Sequence, residues 1–413
     1  MSGRMRTLNR CLSRFCAIAA VLAIAACTEP APPPPKPLPP PPPPAPVAGN
    51  PLDRDQPGYL RLPGIAPSQV PIRVGIILPF SSSVAGTRAL AASMLKAAEM
   101  AMFDSGNHDI LLMTADEGNG GAAAANAANQ LLAQGAEVIV GPLFGPSVAA
   151  VAPIARDRAV PVLAFSTEKS VAGNGAYLLS FLPQGEVRRV VSYAAANGHH
   201  QFAAMLPDSA YGEVTGSAFN DAVSASHGSV VDVEHFAANA GDVAAPSDAV
   251  VKSGADAVLI AQGGVMLRNL APTLSFHGAS RDKVKLLGTG LWADDASLEK
   301  ESSLEGSWYA APAPNADEQF VTKYRAAFGT APASLASLAY DAVSLVALLS
   351  PGTPYHRFTQ AALLDPNGFA GVNGIFRFRA DGTSERGLAV MEITPTGPVV
   401  VSPAPTTFQG KNS

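Results

Sequence analysis

The chain has 413 residues, with 28 Lys and Arg against 33 Asp and Glu, a formal charge of −5. An acidic balance argues against nucleic acid as a partner, since phosphate recognition needs a basic surface. Three cysteines cannot staple a body of this length, so whatever folds must be held by burial, and the chain is long enough for that.

Residues 1–26 carry Arg4, Arg6, Arg10 and Arg14 without an acid, then an apolar run from Ala17 to Ala26. A basic start and a short apolar stretch are the marks of a secretory signal; a permanent bilayer helix would need about 20 apolar residues. The run ends in Ile24-Ala25-Ala26-Cys27, which resembles a bacterial lipobox. The resemblance implies cleavage before Cys27 and lipidation of its sulfur; an ordinary signal with a Cys by chance is the alternative. Cys11 and Cys16 leave with the signal, so no internal disulfide is expected. Processing takes four arginines and no acid, leaving 28 − 4 = 24 basic against 33 acidic residues, a net −9. Each buried acyl CH₂ contributes about 0.8 kcal/mol, so several chains on one Cys anchor firmly. Lipoproteins of this kind stay at the inner membrane mainly when Asp follows the Cys; here Thr28 follows, which implies the outer membrane, facing the periplasm.

Residues 27–69 are expected to form the lipidated Cys and a linker. Thirteen of the seventeen residues from Pro30 to Pro46 are proline. Such a run forms neither helix nor sheet, and as polyproline II it makes a semi-rigid rod of about 50 Å. A neutral low-complexity spacer is the plainer reading. The folded body begins near Pro71. Apolar runs at residues 73–78, 110–113, 137–140 and 160–163 alternate with Ala-rich helical stretches. A second series follows Pro183, with runs at 202–206, 229–233, 257–260 and 285–288. Continuous apolar strands separated by helices predict parallel sheets buried on both faces. Residues 316–350 read as helical throughout, and Ile375 to Ile393 as a hairpin turning at Asp381-Gly382. The fold class is therefore α/β, with two doubly wound parallel-sheet lobes, because two series of this length exceed one core.

The segments Gln130-Leu131-Leu132 with Gly135-Ala136, Ile139-Val140-Gly141-Pro142, Pro207-Asp208 with Tyr211-Gly212, Ala339-Tyr340-Asp341-Ala342 and Gly371-Val372-Asn373-Gly374 resemble, in order and spacing, the type I periplasmic binding proteins of the branched-chain amino acid kind. The resemblance spans roughly residues 71–395. It implies two lobes joined by a hinge of three crossings, placed near Gln184, Ala310 and Phe369, with a ligand between them. Lobe 1 is then 70–184 and 311–368, lobe 2 is 185–310 and 369–402, and 403–413 is a tail. Ser147, Ser166 and Thr167 resemble first-lobe ligand-holding positions, and Ser82 lies in a neighbouring loop; each hydroxyl has a capping role as its alternative. Tyr211 matches a second-lobe ligand contact. Residues 262–266 lack the aromatic of the family's amino-acid binders and 288–292 lack the acid that pairs an ammonium, so an amino-acid ligand is disfavoured.

Leu78-Pro79-Phe80-Ser81 and Gly288-Thr289-Gly290-Leu291-Trp292, together with the lipobox and spacer, resemble more closely the penicillin-binding protein activator lipoproteins. That branch implies regulation of a peptidoglycan synthase by protein contact. The second reading is a tethered substrate-binding protein of a branched-chain amino acid-type ABC transporter, or another small-molecule receptor. Nothing points to catalysis, a cofactor or a metal. Gly288 to Ala293 fits a dinucleotide pattern only nominally, because Leu291 and Trp292 would crowd a pyrophosphate. His199-His200 lacks ligand spacing, no nucleophile elbow occurs, and Asp294-Asp295 reads as a helix start.

Overall fold

The computed structural model describes residues 58–64, 70–237, 243–293 and 295–409; the expected signal peptide, Cys27 and the proline-rich spacer lie outside these. Lobe 1 opens with β1 (Tyr59–Arg61), β2 (Ile72–Leu78), α1 (Ala85–Ser105), β3 (Ile110–Asp116), α2 (Gly121–Ala133), β4 (Val138–Val140), α3 (Gly145–Arg156), β5 (Val162–Ala164) and β6 (Ala176–Leu178). Its sheet has the order β1-β3-β2-β4-β5-β6, parallel except for β1. Ile76, Ile77 and Leu78 are fully buried on alternate faces, each worth about 1.5–3 kcal/mol relative to exposure. Gly75 sits mid-strand because Leu131 of α2 presses there: an added Cβ would stand 2.8 Å from its Cδ1.

Lobe 2 repeats the plan with α4 (Pro183–Ala196), β7 (Gln201–Pro207), α5 (Ala210–Ala225), β8 (Ser229–Phe236), α6 (Ala244–Lys252), β9 (Ala257–Ile260), α7 (Gly264–Phe276), β10 (Lys285–Gly288) and β11 (Trp308–Ala311). The chain then returns to lobe 1 with α8 (Glu318–Phe328), α9 (Ala336–Leu349), the short α10 (Gln360–Leu363) and a small sheet of β12 (Phe369–Gly371), β13 (Gly374–Phe378) and β14 (Ser384–Arg386). It ends in lobe 2 with β15 (Ala389–Thr394) and β16 (Gly397–Ser402), antiparallel additions that make the order β16-β15-β11-β10-β9-β7-β8. Helices cover both faces of each sheet: α1 with α9 and α2 with α3 in lobe 1, α4 with α5 and α6 with α7 in lobe 2.

The three passages between lobes fall at residues 179–182, 312–317 and 387–388. The third differs from the sequence expectation near Phe369. Phe369, Phe376 and Phe378 are buried in the lobe 1 core, where Tyr177 and Phe378 rings approach to 5.3 Å, so residues 369–386 belong to lobe 1. The reading of 316–350 as one helical stretch also changes: Gly329 closes α8 in a left-handed conformation (φ 71°), and Pro332 lies in the loop before α9. The hairpin over 375–393 is real only as far as β14; its outgoing arm then joins the other sheet.

Candidate functional site

In each parallel sheet the strand order reverses beside the first strand, between β2 and β4 in lobe 1 and between β7 and β9 in lobe 2. Ligands of open α/β sheets lie beyond the carboxyl ends of the strands at such points. The passages out of β6 and β11 also leave from carboxyl ends, so both switch points lie on the hinge side of their sheets.

The lobe 1 wall is built around the start of α3. The loop from Gly141 crosses β2 so closely that any Cβ at Gly141 (φ 90°) would collide with the Ile77 carbonyl. It presents the Leu143 and Phe144 N–H groups, the kind of donors that receive an anion at a helix start. Here the anion belongs to the chain itself. Glu117, fully buried, accepts from Leu143 N–H at 2.8 Å and Phe144 N–H at 3.0 Å. Burial raises the Glu117 pKa, and these bonds with that from the Ser147 hydroxyl hold it down in part. Glu168 lies over the same helix start, where any Cβ on Gly145 would collide with its carboxylate.

Ser82, Ser147, Ser166 and Thr167 all lie at this carboxyl edge, but with different prospects. The Ser147 side chain is 1% exposed and turned to Glu117. Ser166, also buried, accepts from Glu168 N–H at 3.1 Å. Ser82 accepts from Val84 N–H at 3.3 Å, and its carbonyl receives Arg88 Nη1 at 2.6 Å, an arrangement that starts α1. Thr167 is exposed.

In lobe 2, Tyr211 at the start of α5 bonds through its hydroxyl to Thr289 Oγ1 at 2.8 Å. Beside them stands a residue that sequence reasoning passed over. Glu186, in the first turn of α4, accepts from Gly290 N–H at 2.8 Å, and burial pushes its carboxyl up to about 7. Burial and this neighbouring charge together hold the Tyr211 phenol well above its ordinary value. The segment 288–292 carries no acid of its own; the one beside it comes from 104 residues away, and only its place directly after a crossing hinted at it. Trp292, 2% exposed, fills the space over Gly288 and donates from Nε1 to Gln262 O at 2.8 Å, leaving no room there for a pyrophosphate. Asp295 caps the short helix after it and meets Arg268 at 2.7 Å, while Asp294 lies outside the described residues. Apolar side chains are exposed where the carboxyl ends of both sheets pass into loops and helices: Val84 and Phe144 in lobe 1, Val265 and Leu291 in lobe 2, all at least 44% exposed.

An expected result follows for the filled anion seat. Glu117→Ala strands one buried and one partly buried N–H donor and should cost about 1–3 kcal/mol in urea unfolding. The same variant should gain a saturable thermal shift with benzoate that the parent protein lacks; equal responses in both would remove the argument for self-occupancy.

The sequence profile of the periplasmic binding proteins matches residues 71–398. No curated protein matches the chain. Among solved structures, a protein of Rhodospirillum rubrum described as a branched-chain amino acid ABC transporter superposes with a TM-score of 0.71 at 17% identity, covering 80% of this chain and all of its own. A branched-chain amino acid ABC transporter periplasmic ligand-binding protein of Burkholderia xenovorans gives 0.65 at 19%, covering 82% and 97%. An ABC transporter solute-binding protein of R. palustris, in complex with benzoate, gives 0.55 at 18%, covering 83% and 98%. The profile match over most of the chain, with its two doubly wound lobes about a groove, makes this chain a member of the periplasmic binding protein family.

Proposed function

We propose that the chain is a membrane-tethered periplasmic receptor whose groove takes a small molecule without a free carboxylate. The observation that carries this is the occupied anion seat: Glu117 holds the Leu143 and Phe144 N–H groups, and Glu168 guards the same helix start. The apolar side chains exposed at the carboxyl ends of the sheets suit an uncharged, largely apolar ligand, with Tyr211, Thr167 and Glu186 supplying polar contacts. Family membership and structural relatives favour this solute-binding reading over the order suggested by sequence. Cys27, outside the described residues, serves as the lipid anchor at the outer membrane in this reading.

A thermal-shift screen of neutral aromatics, amines, amino acids and benzoates tests it. A ligand at about 100 times its Kd adds about 2.7 kcal/mol, a readily visible shift. Uncharged or cationic compounds should stabilise the protein while leucine and benzoate do not; the reverse selectivity defeats the proposal. In the same preparations Cys27→Ser should leave melting unchanged and move the protein from the membrane pellet to the soluble fraction.

The second reading is contact regulation of a peptidoglycan synthase, favoured by the four exposed apolar side chains at the carboxyl ends of the sheets. Pull-down of a detergent-solubilised synthase, lost in a Phe144→Ser/Leu291→Ser double variant, would establish it in place of the first.

A further inference from the structure

A second concavity opens at the opposite edge of lobe 1, where β4, β5 and β6 begin. It is a cavity of about 570 Å³, within the range of small-molecule sites. The loop after α9, the turn after α3, the approach to β6 and the tip of the β13–β14 hairpin enclose it.

Its walls are held firmly. Glu137, at the foot of β4, meets Arg357 Nη1 at 2.6 Å with side chains 3% and 11% exposed, and receives the Tyr355 N–H at 2.8 Å. Gly382 at the hairpin tip accepts from Leu178 N–H at 2.8 Å, and any Cβ there would strike the Gly173 nitrogen. Backbone strain gathers at the same place. Of five non-glycine residues with positive φ among those described, Ala159 (56°), Asn174 (50°) and Tyr355 (61°) line this one cavity, from three separate loops. Such residues cost about 1–3 kcal/mol each and cluster at ligand sites.

The lining has a definite chemistry. Phe358 and Tyr177 are buried beneath it, and Tyr355 stands 54% exposed at its rim, so apolar ring surface is available. Arg156, Asn174 and His356 bring side-chain polar groups that have no hydrogen-bond or ion-pair partner among the described residues. Glu137 is neutralised by Arg357, so the one unpaired full charge is the Arg156 guanidinium. Ring surface ringed by neutral donors and acceptors matches a sugar, with apolar C–H faces and a hydroxyl rim, and a lone guanidinium matches one carboxylate on it. We propose that this cavity binds an acidic saccharide of about disaccharide size, with Arg156 receiving the carboxylate and Tyr355 and Phe358 lying against the sugar faces. The site is remote from the interlobe groove and independent of what that groove holds.

Calorimetric titration of the full chain in detergent with N-acetylglucosaminyl-N-acetylmuramic acid, its methyl ester and diacetylchitobiose tests this. The acidic disaccharide should bind saturably, and the ester and chitobiose about tenfold or more weakly, since a charge-assisted bidentate contact is lost. Arg156→Ala, on an exposed helix end, should weaken the acid by the same factor and leave melting unchanged, Tyr355→Ala should also weaken it, and Tyr211→Phe in the groove should do nothing. No saturable heat at millimolar disaccharide, or wild-type affinity in Arg156→Ala, overturns the assignment.

Discussion

Arg386→Met is expected to lower the stability of the protein by about 3–5 kcal/mol at pH 8, read as a large drop in the urea midpoint by circular dichroism. Asp341, on α9, faces Arg386 at the end of β14 with Oδ2 and Nη1 3.6 Å apart, and the two side chains are 1% and 4% exposed. Arg386 donates from Nε to the Ser180 carbonyl at 3.1 Å and lies over the Phe181 ring at 4.4 Å, while Asp341 accepts from Val372 N–H at 2.7 Å. Three segments meeting at the hinge are therefore joined through one charge pair. Its hydrogen bonding is incomplete, with Asp341 Oδ2 and both Arg386 Nη atoms lacking partners. Asp341→Asn copies the protonated carboxyl, the form that a pKa raised to about 6 marks as the better fit, so it should not fall below the parent at pH 8. Arg386→Met should behave differently. Burial already pushes the Asp341 carboxyl up to about 6 against the pull of Arg386, so without that partner it protonates. The cost of Arg386→Met should shrink as pH falls from 8 to 5. A loss below 1 kcal/mol for Arg386→Met at pH 8, or identical pH profiles for both variants, would refute this account of the hinge.

Glu186 gives the second large effect, with a defined sign. Burial sets its pKa at about 7 in the folded protein against an ordinary 4.5. A raised folded pKa means the protonated form is the better fit, so its stabilising contribution is complete below pH 4.5 and disappears as pH rises through 7. The difference amounts to about 3 kcal/mol at 1.36 kcal/mol per unit. Glu186→Gln copies the protonated form and keeps an acceptor for Gly290 N–H. It should match the parent at pH 4 and exceed it by roughly that amount at pH 8.5. Parallel stability curves across this range would show that Glu186 ionises freely. The same titration would add negative charge beside Tyr211 and Thr289, so affinity of the groove for a cationic ligand should rise over the window in which stability falls.

The strands legible in the sequence were those buried on both faces. Ile72–Leu78 and Ala257–Ile260 are unbroken apolar runs because helices cover the sheet on either side. The strands that escaped notice were short or at edges: Tyr59–Arg61 pairs only with β3, and Ala176–Leu178 follows a loop with three positive-φ residues, Gly173, Asn174 and Gly175. Phe369 was read on the wrong side of the hinge because alternation shows that a strand is half-buried without showing which core buries it. The site was harder. Ser147 has the right type and spacing for a ligand contact, and only coordinates reveal that Glu117, 30 residues earlier, claims it. Glu186 escaped for the complementary reason, since its partners Gly290 and Tyr211 are distant in sequence and no local motif joins them.

The interleaving of the lobes bears on how the protein reaches its native state. Helix α1 is sheathed by α9, about 240 residues later in the chain, and the lobe 2 sheet is finished only by its last two strands. Neither half is complete until these late segments have joined it. Until then apolar strands stay bare, a slow and aggregation-prone interval in which holding chaperones would matter most.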